Sequence, residues 1–406
     1  MTRRPQQTFD AALAAALADI ERQNLTRELR EVDGPQSPHL RVKGRTMLNF
    51  SSNDYLGLAN HPAVKAAAVR AVETFGAGSG ASRLICGSLR PQHALEERLA
   101  AFKGTEAALS FSSGCAAALG AVTSLVGPGD VVIVDKLVHA SLVDAARLSG
   151  AKLRVFKHND LNDLERMLKW AAKSRAANRA ARVLILTESV FSMDGDLAPL
   201  PDMVELKERH GAWLMVDEAH ATGLFGERCS GLVEEFGLTG RVEVQMATLG
   251  KALGASGGAI CGTRRLIDLL VNRARSFIFT TASAPASAAA AAAAIDLLGT
   301  TEGQGIRDRL WALVDHLKTE LIASGWPLPP VRSAIVPLVI GAEDEAVAWA
   351  AALRERGVFI PAIRYPSVAR GAARLRLTMT AGHAPADIQA LARALAAVRA
   401  GRSGRA

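Results

Sequence analysis

The chain has 406 residues, of which 49% are hydrophobic, 22% charged and 5% aromatic. These values are typical of a globular protein with enough apolar residues for a large core, and they exclude collagen-like, disordered and disulfide-scaffold chains. Lys and Arg number 48 against 40 Asp and Glu, which gives a net charge of +8. Much of the excess is spread as Arg over helical segments and the last ten residues, without dense basic runs, so we expect no nucleic-acid partner.

The N-terminal segment and the cysteines indicate the compartment. Arg3 and Arg4 precede AALAAALADIERQ, which has a helical rather than a continuously apolar pattern and is a poor signal peptide. The stretch 282–298 is mostly Ala, contains Pro285 and is too weakly hydrophobic to cross a membrane. The four cysteines are far apart, and no His stands at metal-ligand spacing. We therefore expect a cytoplasmic protein with no disulfide framework and no metal site.

The order of predicted elements indicates an α/β fold. Apolar β-type runs and helical patterns alternate from about residue 60 to 285, as in a mostly parallel sheet with helices on its faces. Several of the runs are continuously apolar, which is typical of strands buried on both faces. The predicted strands cover 107–111, 131–135, 152–156, 183–188, 213–218, 242–248 and 257–262.

The two ends of the chain have different patterns. The first 50 or so residues predict a helix and a short hairpin, HLRVKGRTMLNFSS. Beyond the Ala-rich helix at 286–299, long helices alternate with a few short strands. We therefore predict an N-terminal arm (1–55), a large α/β domain (56–285) and a smaller C-terminal α+β domain (286–406).

Polar residues follow five of the predicted strands. Ligands of open parallel sheets bind beyond the carboxyl ends of the strands, so these residues are the candidates for a site. Together they would place histidine, aspartate, hydroxyl and lysine side chains at one edge of the sheet. They are Ser112 to Gly114, Lys136 to His139, Ser189 to Asp194, Asp217 to His220 and Thr248 to Lys251.

This combination suits pyridoxal phosphate (PLP). A lysine between small residues, such as Lys251, can form a Schiff base, an aspartate can pair with the pyridine nitrogen, and an imidazole can lie against the ring. Backbone N–H groups of the Ser113–Gly114–Cys115 segment and the hydroxyl of Thr248 are suited to a phosphate. The alternative is that Lys251 is an exposed surface lysine. The high glycine content of the segment GGAICG would then have no obvious explanation.

One motif favours a different cofactor. GAGSGA at 76–81 matches the dinucleotide pattern G-x-G-x-x-A. It follows VKAAAVRAVETF, which is helical, and it is not followed by a strand that ends in an acidic residue. The segments on both sides of the motif therefore argue against a Rossmann-type oxidoreductase.

The longer strings resemble the α-oxoamine synthases, fold-type-I PLP enzymes that condense an amino acid with an acyl thioester and release carbon dioxide. The resemblance runs from about residue 45 to 383, through NFSSNDYLGL, GSGASRL, FSSG, VHASLVDAARLSGA, ESVFSMDGDLAPL, VDEAHATG, TLGKALGASGG, RSFIFTTA and AIRYPSVARGAARLRLTMTAGH. SSNDYLGL, SFIFTTA and the AIR segment are similar to the biotin-pathway branch. The resemblance implies L-alanine and a pimeloyl thioester, on CoA or acyl carrier protein, as substrates.

By position, the resemblance also implies residue roles. Lys251 would carry the Schiff base, Asp217 would pair with the pyridinium, and His139 would stack on the ring. His220 and Ser192 would lie beside the phenolic oxygen, and Glu188 would also contact the cofactor. The phosphate would be held by Gly114, Cys115 and Thr248, and by Thr280 and Thr281 of a partner subunit, which implies a homodimer with shared sites.

The substrate side of the site follows from the same resemblance. Arg376 would bind the carboxylate of the amino acid, a role suited to a bidentate guanidinium. The substrate and its acyl group would be lined by Arg27, Asn53, His139, Arg364 and Ser367. The chain departs from the family pattern near the phosphate and the acyl channel, at Cys115, Ala118, Ala221, Tyr365 and Ala369. Neutral drift and a shifted acyl preference are the two interpretations of these changes.

Three alternatives remain at this stage. Within the family, 2-amino-3-ketobutyrate CoA ligase, which uses glycine and acetyl-CoA, is the second candidate, followed by 5-aminolevulinate synthase and serine palmitoyltransferase. A non-catalytic partner subunit would have the same fold, but the presence of Lys251, Asp217 and His139 argues against it. A basic nucleic-acid binder would bind DNA in a salt-sensitive way and would not absorb visible light.

Overall fold

The structure, a computed structural model, describes residues 8–177 and 180–403. Arg3 and Arg4 lie outside the described residues. The described part contains fourteen α-helices and thirteen strands. The helices are α1 (Phe9–Arg22), α2 (Pro62–Phe75), α3 (Arg90–Lys103), α4 (Gly114–Leu125), α5 (Ala140–Leu148), α6 (Leu161–Ala177), α7 (Leu200–Arg209), α8 (Leu232–Glu235), α9 (Arg264–Arg273), α10 (Arg275–Ile278), α11 (Pro285–Leu298), α12 (Thr301–Ala323), α13 (Glu343–Glu355) and α14 (Pro385–Ser403).

The strands agree closely with the apolar runs of the sequence. They are β1 (His39–Val42), β2 (Arg45–Asn49), β3 (Ala107–Phe111), β4 (Val131–Asp135), β5 (Lys152–Phe156), β6 (Val183–Glu188), β7 (Trp213–Asp217), β8 (Val244–Thr248), β9 (Gly258–Gly262), β10 (Ile335–Gly341), β11 (Val358–Phe359), β12 (Ala362–Ile363) and β13 (Ala373–Thr378). The first four strands predicted between 107 and 188 have the observed bounds, and the next three are one or two residues too long. Strand β7 stops at Asp217 because its carboxylate accepts the N–H of Ala219 at 2.9 Å and turns the chain.

The central sheet has seven strands in the order β3-β9-β8-β7-β6-β4-β5. All neighbouring pairs are parallel except the two that involve β9, which runs against both β3 and β8. The predicted α/β fold with a mostly parallel sheet and flanking helices is therefore confirmed. The carboxyl ends of β4, β6, β7 and β8 meet at one edge, where the polar residues of the sequence lie.

Two three-stranded sheets flank the central one. Strands β10, β13 and β12 form an antiparallel sheet in the C-terminal part. The hairpin of β1 and β2 turns at Lys43 and Gly44, which both have positive φ (48° and 74°), as a two-residue hairpin turn requires. Strand β2 then pairs with β11 in parallel. The N-terminal arm is thus joined to the C-terminal part, and the division into three domains stays a prediction.

One large apolar core connects the central sheet with the helices on both faces and with the C-terminal part. The Ala-rich α11 packs on α2 and α3, and most of its alanines are buried, since small side chains allow close helix packing. Within residues 8–177 and 180–403, no helix is long and apolar enough to cross a membrane. Gly76 ends helix α2 with φ 82°, so GAGSGA follows a helix, as predicted, and not a strand.

Candidate active site

The carboxyl ends of β6, β7 and β8 bring the predicted cofactor residues together. Glu188 and Asp217 are partners in the register of β6 and β7, and Thr248 is the last residue of β8. The chain then turns, and Lys251 lies three residues beyond Thr248. His139 is the N-cap residue of α5, its imidazole is exposed, and its Nδ1 lies 2.8 Å from the hydroxyl of Ser141.

A chain of polar contacts runs from Lys251 into the core. Lys251 Nζ lies 2.9 Å from His220 Nε2, and His220 Nδ1 lies 2.6 Å from the hydroxyl of Tyr55. Burial lowers the pKa of His220 well below its ordinary value, and the charges of Lys251 and Arg376 act in the same direction. His220 is therefore neutral, with a proton on only one ring nitrogen. Burial also lowers the pKa of Lys251, so its amine loses a proton more readily than a surface lysine.

Two carboxyl groups face this lysine. Glu188 and Asp217 are only 2% and 4% exposed. Burial and, to a smaller extent, the neighbouring charge of Asp217 raise the pKa of Glu188 to about 8. Burial raises the pKa of Asp217 too, but the positive charge of Lys251 and the N–H of Ala219 oppose this effect. The two groups share a low-dielectric site in which one negative charge is more stable than two.

The start of α4 forms a cradle of backbone N–H groups. Ser113 caps the helix by accepting the N–H of Ala116 at 3.1 Å, and the N–H groups at the beginning of a helix attract anions. Gly114 must lack a side chain, because an added Cβ would lie 2.6 Å from Cγ2 of Thr248. Gly258 of β9 packs against the same turn, where a Cβ would lie 2.6 Å from the carbonyl oxygen of Ser113. This close packing and the exposed Cys115 beside it fit a phosphate group.

Arg376 on β13 brings the C-terminal sheet to the site. Its guanidinium donates to the carbonyl oxygen of Ser192 at 2.5 Å, to Oδ1 of Asn53 at 3.1 Å and to the hydroxyl of Tyr55 at 3.4 Å. Arg376 is 8% exposed, and within residues 8–177 and 180–403 its guanidinium contacts a carbonyl, an amide and a hydroxyl oxygen but no carboxylate. A buried guanidinium without a counter-charge is suited to an anionic substrate group.

The other predicted residues lie apart from this cluster. Arg364 donates to the backbone carbonyls of Asn24 and Thr26, and burial and the charge of the neighbouring Arg27 lower the pKa of Arg364. Ser367 is exposed, and its N–H donates to the carbonyl of Arg364 at 3.0 Å. These three residues therefore form one surface between the arm and β12, without a hydrogen bond to Lys251, Asp217 or His220 in the described part of the chain.

Thr280 and Thr281 form the second separate group. Thr281 is exposed and makes an isolated bridge with Ser82, and the hydroxyl of Thr280 donates to the carbonyl of Thr281 at 3.3 Å. Neither has a hydrogen bond with Gly114 or Thr248 among the residues described. Within one chain they do not complete the phosphate cradle, and their role in a partner subunit stays a prediction.

Tyr55 is the site residue that the sequence reasoning did not single out. It is fully buried, and its hydroxyl contacts His220, Arg376 and, at 3.3 Å, Asn53. The signal was present in the string SSNDYLGL, where a tyrosine follows polar residues outside any strand. Its importance depends on a contact with a residue 165 positions away, which spacing does not reveal.

Comparison with known proteins identifies the family. The model of the aminotransferase class I and II family matches residues 45–395. The chain belongs to this family. It is 46% identical to the 8-amino-7-oxononanoate synthase of Geobacter sulfurreducens, over 95% of this chain and 97% of the relative. The α-oxoamine synthase resemblance of the motifs is therefore confirmed.

Two solved structures illustrate the family fold. A variant of serine palmitoyltransferase from S. paucimobilis, with a bound PLP–myriocin aldimine, has a TM-score of 0.89 at 30% identity and covers 98% of this chain and 99% of its own. The 8-amino-7-oxononanoate synthase of Francisella tularensis has a TM-score of 0.73 at 26% identity and covers 88% of this chain and 99% of its own. The chain is thus similar in fold to both a serine palmitoyltransferase and an 8-amino-7-oxononanoate synthase.

Proposed function

We propose that the chain is a PLP-dependent acyltransferase that condenses L-alanine with a pimeloyl thioester, releases carbon dioxide and forms 8-amino-7-oxononanoate for biotin synthesis. The observation that carries the proposal is the juxtaposition of Lys251, His220 and Asp217 at the sheet edge, with Arg376 beside them, in a chain 46% identical to an enzyme of that name. When bound, PLP withdraws electrons from the α-carbon of the amino acid.

The residues of the chain divide the work of holding the cofactor. Lys251 would provide the amine for covalent attachment, and the carboxylate of Asp217 would keep the pyridine nitrogen protonated. His139 would lie against the ring face, and His220 and Ser192 would lie beside the phenolic oxygen. The start of α4, with Gly114, Cys115 and Thr248, would hold the phosphate.

The same residues handle substrate and protons. Arg376 binds the carboxylate of alanine, and Asn53 helps to fix the guanidinium at 3.1 Å. The freed amine of Lys251 takes the proton from the α-carbon of alanine and returns one after carbon dioxide has left. The neutral His220 supports this because it accepts a hydrogen bond from the ammonium and adds no positive charge of its own.

The acyl side and the assembly belong to the same proposal. Arg27, Arg364 and Ser367 form the surface toward which the acyl thioester extends, and a cationic surface also suits an acidic carrier protein or the phosphates of CoA. Two copies of the chain form a homodimer, in which Thr280 and Thr281 of one subunit bind the phosphate in the other. The cytoplasm is proposed as the compartment on the basis of cysteine usage alone.

A reduction experiment tests the assignment of the lysine. The purified chain, incubated with PLP, should absorb visible light and retain the cofactor covalently after treatment with borohydride. Lys251→Ala should lose the adduct, whereas Lys173→Ala, which changes an exposed lysine on α6, should keep it. An unmodified wild-type protein after this treatment would refute the proposed chemistry.

A substrate matrix tests the acyl and amino-acid choice. L-Alanine, glycine and L-serine are each assayed with pimeloyl, acetyl and palmitoyl thioesters by release of free thiol. L-Alanine with a pimeloyl thioester should give the highest kcat/KM. The TM-score of 0.89 with serine palmitoyltransferase makes L-serine with a palmitoyl thioester the second candidate. Release only with that pair, or only with glycine and acetyl-CoA, would contradict the proposal.

A further inference from the structure

The carboxyl group of Glu188 has an asymmetric environment. It lies at the end of β6 and is 2% exposed. Its Oε2 accepts the N–H of Ser192 at 3.1 Å, and the backbone N–H of His139 also donates to the carboxyl group. Its Oε1 is buried and has no hydrogen-bond partner among the described residues. A buried oxygen without a partner is costly, so this one indicates either a proton of its own or a partner on the cofactor.

The charged groups around Glu188 decide between these states. Asp217 stands opposite it on β7, and Lys251 approaches from the loop after β8. His139 at the start of α5 and Ser192 in the turn after β6 contribute backbone N–H groups but no charge at the carboxyl. Lys251 can balance one carboxylate but not two. Of the two groups, only Glu188 has a buried oxygen without a donor among the described residues, and the charges of Lys251, His139 and Lys103 all favour the ionised form of Asp217. The proton of the pair therefore goes to Glu188.

We propose that Glu188 is a neutral carboxylic acid whose Oε1–H donates a hydrogen bond to the anionic ring oxygen of the bound PLP. The inference rests on the proposed function, since it concerns the same cofactor site. As a carboxylate, Glu188 could only accept hydrogen bonds, and its Oε1 would oppose a negative oxygen in a buried place. As an acid, it gives Oε1 a donor role and leaves Asp217 as the negative group for the pyridinium. No proton is transferred, because the O–H remains on Glu188.

The effect of burial on acidity supports this assignment. A pKa raised to about 8 keeps Glu188 protonated at pH 7, whereas an ordinary glutamate is ionised there. Burial raises the pKa of another carboxyl, that of Asp54, only to about 6. At pH 7 Asp54 is therefore mostly ionised, whereas Glu188 is mostly protonated.

Isotope-edited infrared spectroscopy of the full chain tests the proton directly. The protein is prepared with natural glutamate or with glutamate labelled with ¹³C at the side-chain carboxyl, and spectra are recorded at pH 7 with and without PLP. A carbonyl band of a protonated acid that shifts in the labelled protein, and is absent from Glu188→Gln, supports the proposal. A band that does not shift with the label places the proton on an aspartate such as Asp217 and overturns it, as does the absence of any acid band.

Cofactor affinity tests the donor role. The side chain of Glu188→Gln keeps an N–H donor in place of the O–H, whereas Glu188→Ala keeps none. Loss of a hydrogen bond to a charged oxygen should weaken PLP binding by roughly 10-fold to 100-fold in Glu188→Ala, and Glu188→Gln should bind several-fold more tightly than Glu188→Ala. Equal loss in both variants would overturn the donor role. Spectra and affinity need no acyl substrate, so a wrong substrate assignment would leave both results intact.

Discussion

Substitution of Tyr55 by Phe removes a single oxygen from the centre of the site. That oxygen lies 2.6 Å from His220 Nδ1 and within 3.4 Å of Arg376 Nη2. A neutral His220 that accepts a hydrogen bond from the ammonium of Lys251 at Nε2 has its proton on Nδ1. This N–H donates a hydrogen bond to the hydroxyl of Tyr55. Tyr55 in turn donates to Oδ1 of Asn53 at 3.3 Å. The hydroxyl thus fixes which nitrogen of His220 faces Lys251 as an acceptor.

The magnitude follows from burial. Tyr55 is fully buried and His220 is 5% exposed, so water does not replace the lost oxygen. An unsatisfied buried donor costs about 1 to 3 kcal/mol, and at about 1.4 kcal/mol per tenfold this is roughly a 5- to 150-fold loss in kcat/KM. The substitution changes no charge and keeps the ring, so the packing around it should be preserved.

An exposed hydroxyl away from the site provides a matched control. Thr319 lies on α12, and its hydroxyl donates to the carbonyl oxygen of Asp315 at 2.9 Å. The assay is kcat/KM for L-alanine with a saturating pimeloyl thioester, measured for Tyr55→Phe, Thr319→Val and the wild type. Thr319→Val should stay within about twofold, as expected for a surface substitution. A Tyr55→Phe enzyme that is equally active, with an unchanged pH profile, would refute the role of the hydroxyl.

The ion pairs of Lys103 and of His158 give two predictions about stability. Lys103 and Glu218 are both fully buried and lie 2.8 Å apart, so Lys103→Met should lower the free energy of unfolding by about 3 to 5 kcal/mol in urea titrations. The double variant Lys103→Met/Glu218→Met should recover most of this loss, and a double variant as unstable as the single one would contradict the explanation. Burial lowers the pKa of His158, but its hydrogen bonds to Asp135 and Asp196 outweigh this effect and raise the pKa to about 10. This stabilisation is complete below the ordinary value of about 6.5 and is lost as the pH rises through 10. The unfolding midpoint of the wild type should therefore fall over this range more steeply than that of His158→Gln, and parallel curves would count against it.

The sequence was informative where a local pattern carries the signal. Continuous apolar runs located β4 and β6 to the residue, because strands buried on both faces leave no polar positions. The position of ligand sites beyond the carboxyl ends of parallel strands predicted Asp217 and Thr248 at one edge, whereas Glu188 was implied only by the family resemblance. The reversed direction of β9 was not visible, because the residues of a strand do not record whether its neighbours are parallel or antiparallel.

Features that depend on long-range contacts were not predicted. Lys103 has the sequence context of a surface lysine at the end of a helix, yet it is fully buried against Glu218, 115 positions away. Tyr55 precedes the first strand of the large sheet and meets His220 only in the folded chain. The surface of Arg27 and Arg364 depends on the arm returning to β12, which follows from the pairing of β2 with β11. Such contacts are set by tertiary structure, so local periodicity carries no trace of them.

The charge balance of the site connects the proposed chemistry with the protonation of Glu188. Arg376 and Lys251 are positive, Asp217 is negative, and a buried His220 is neutral. With Glu188 protonated, the site has an excess positive charge, which favours a phosphate and the carboxylate of an amino acid. An ionised Glu188 would cancel that excess and repel both anions in a low-dielectric environment. The neutral acid therefore provides a donor to the ring while it preserves the attraction for anionic ligands, and Glu188→Gln, which is neutral at every pH, should bind PLP with less pH dependence than the wild type near pH 8.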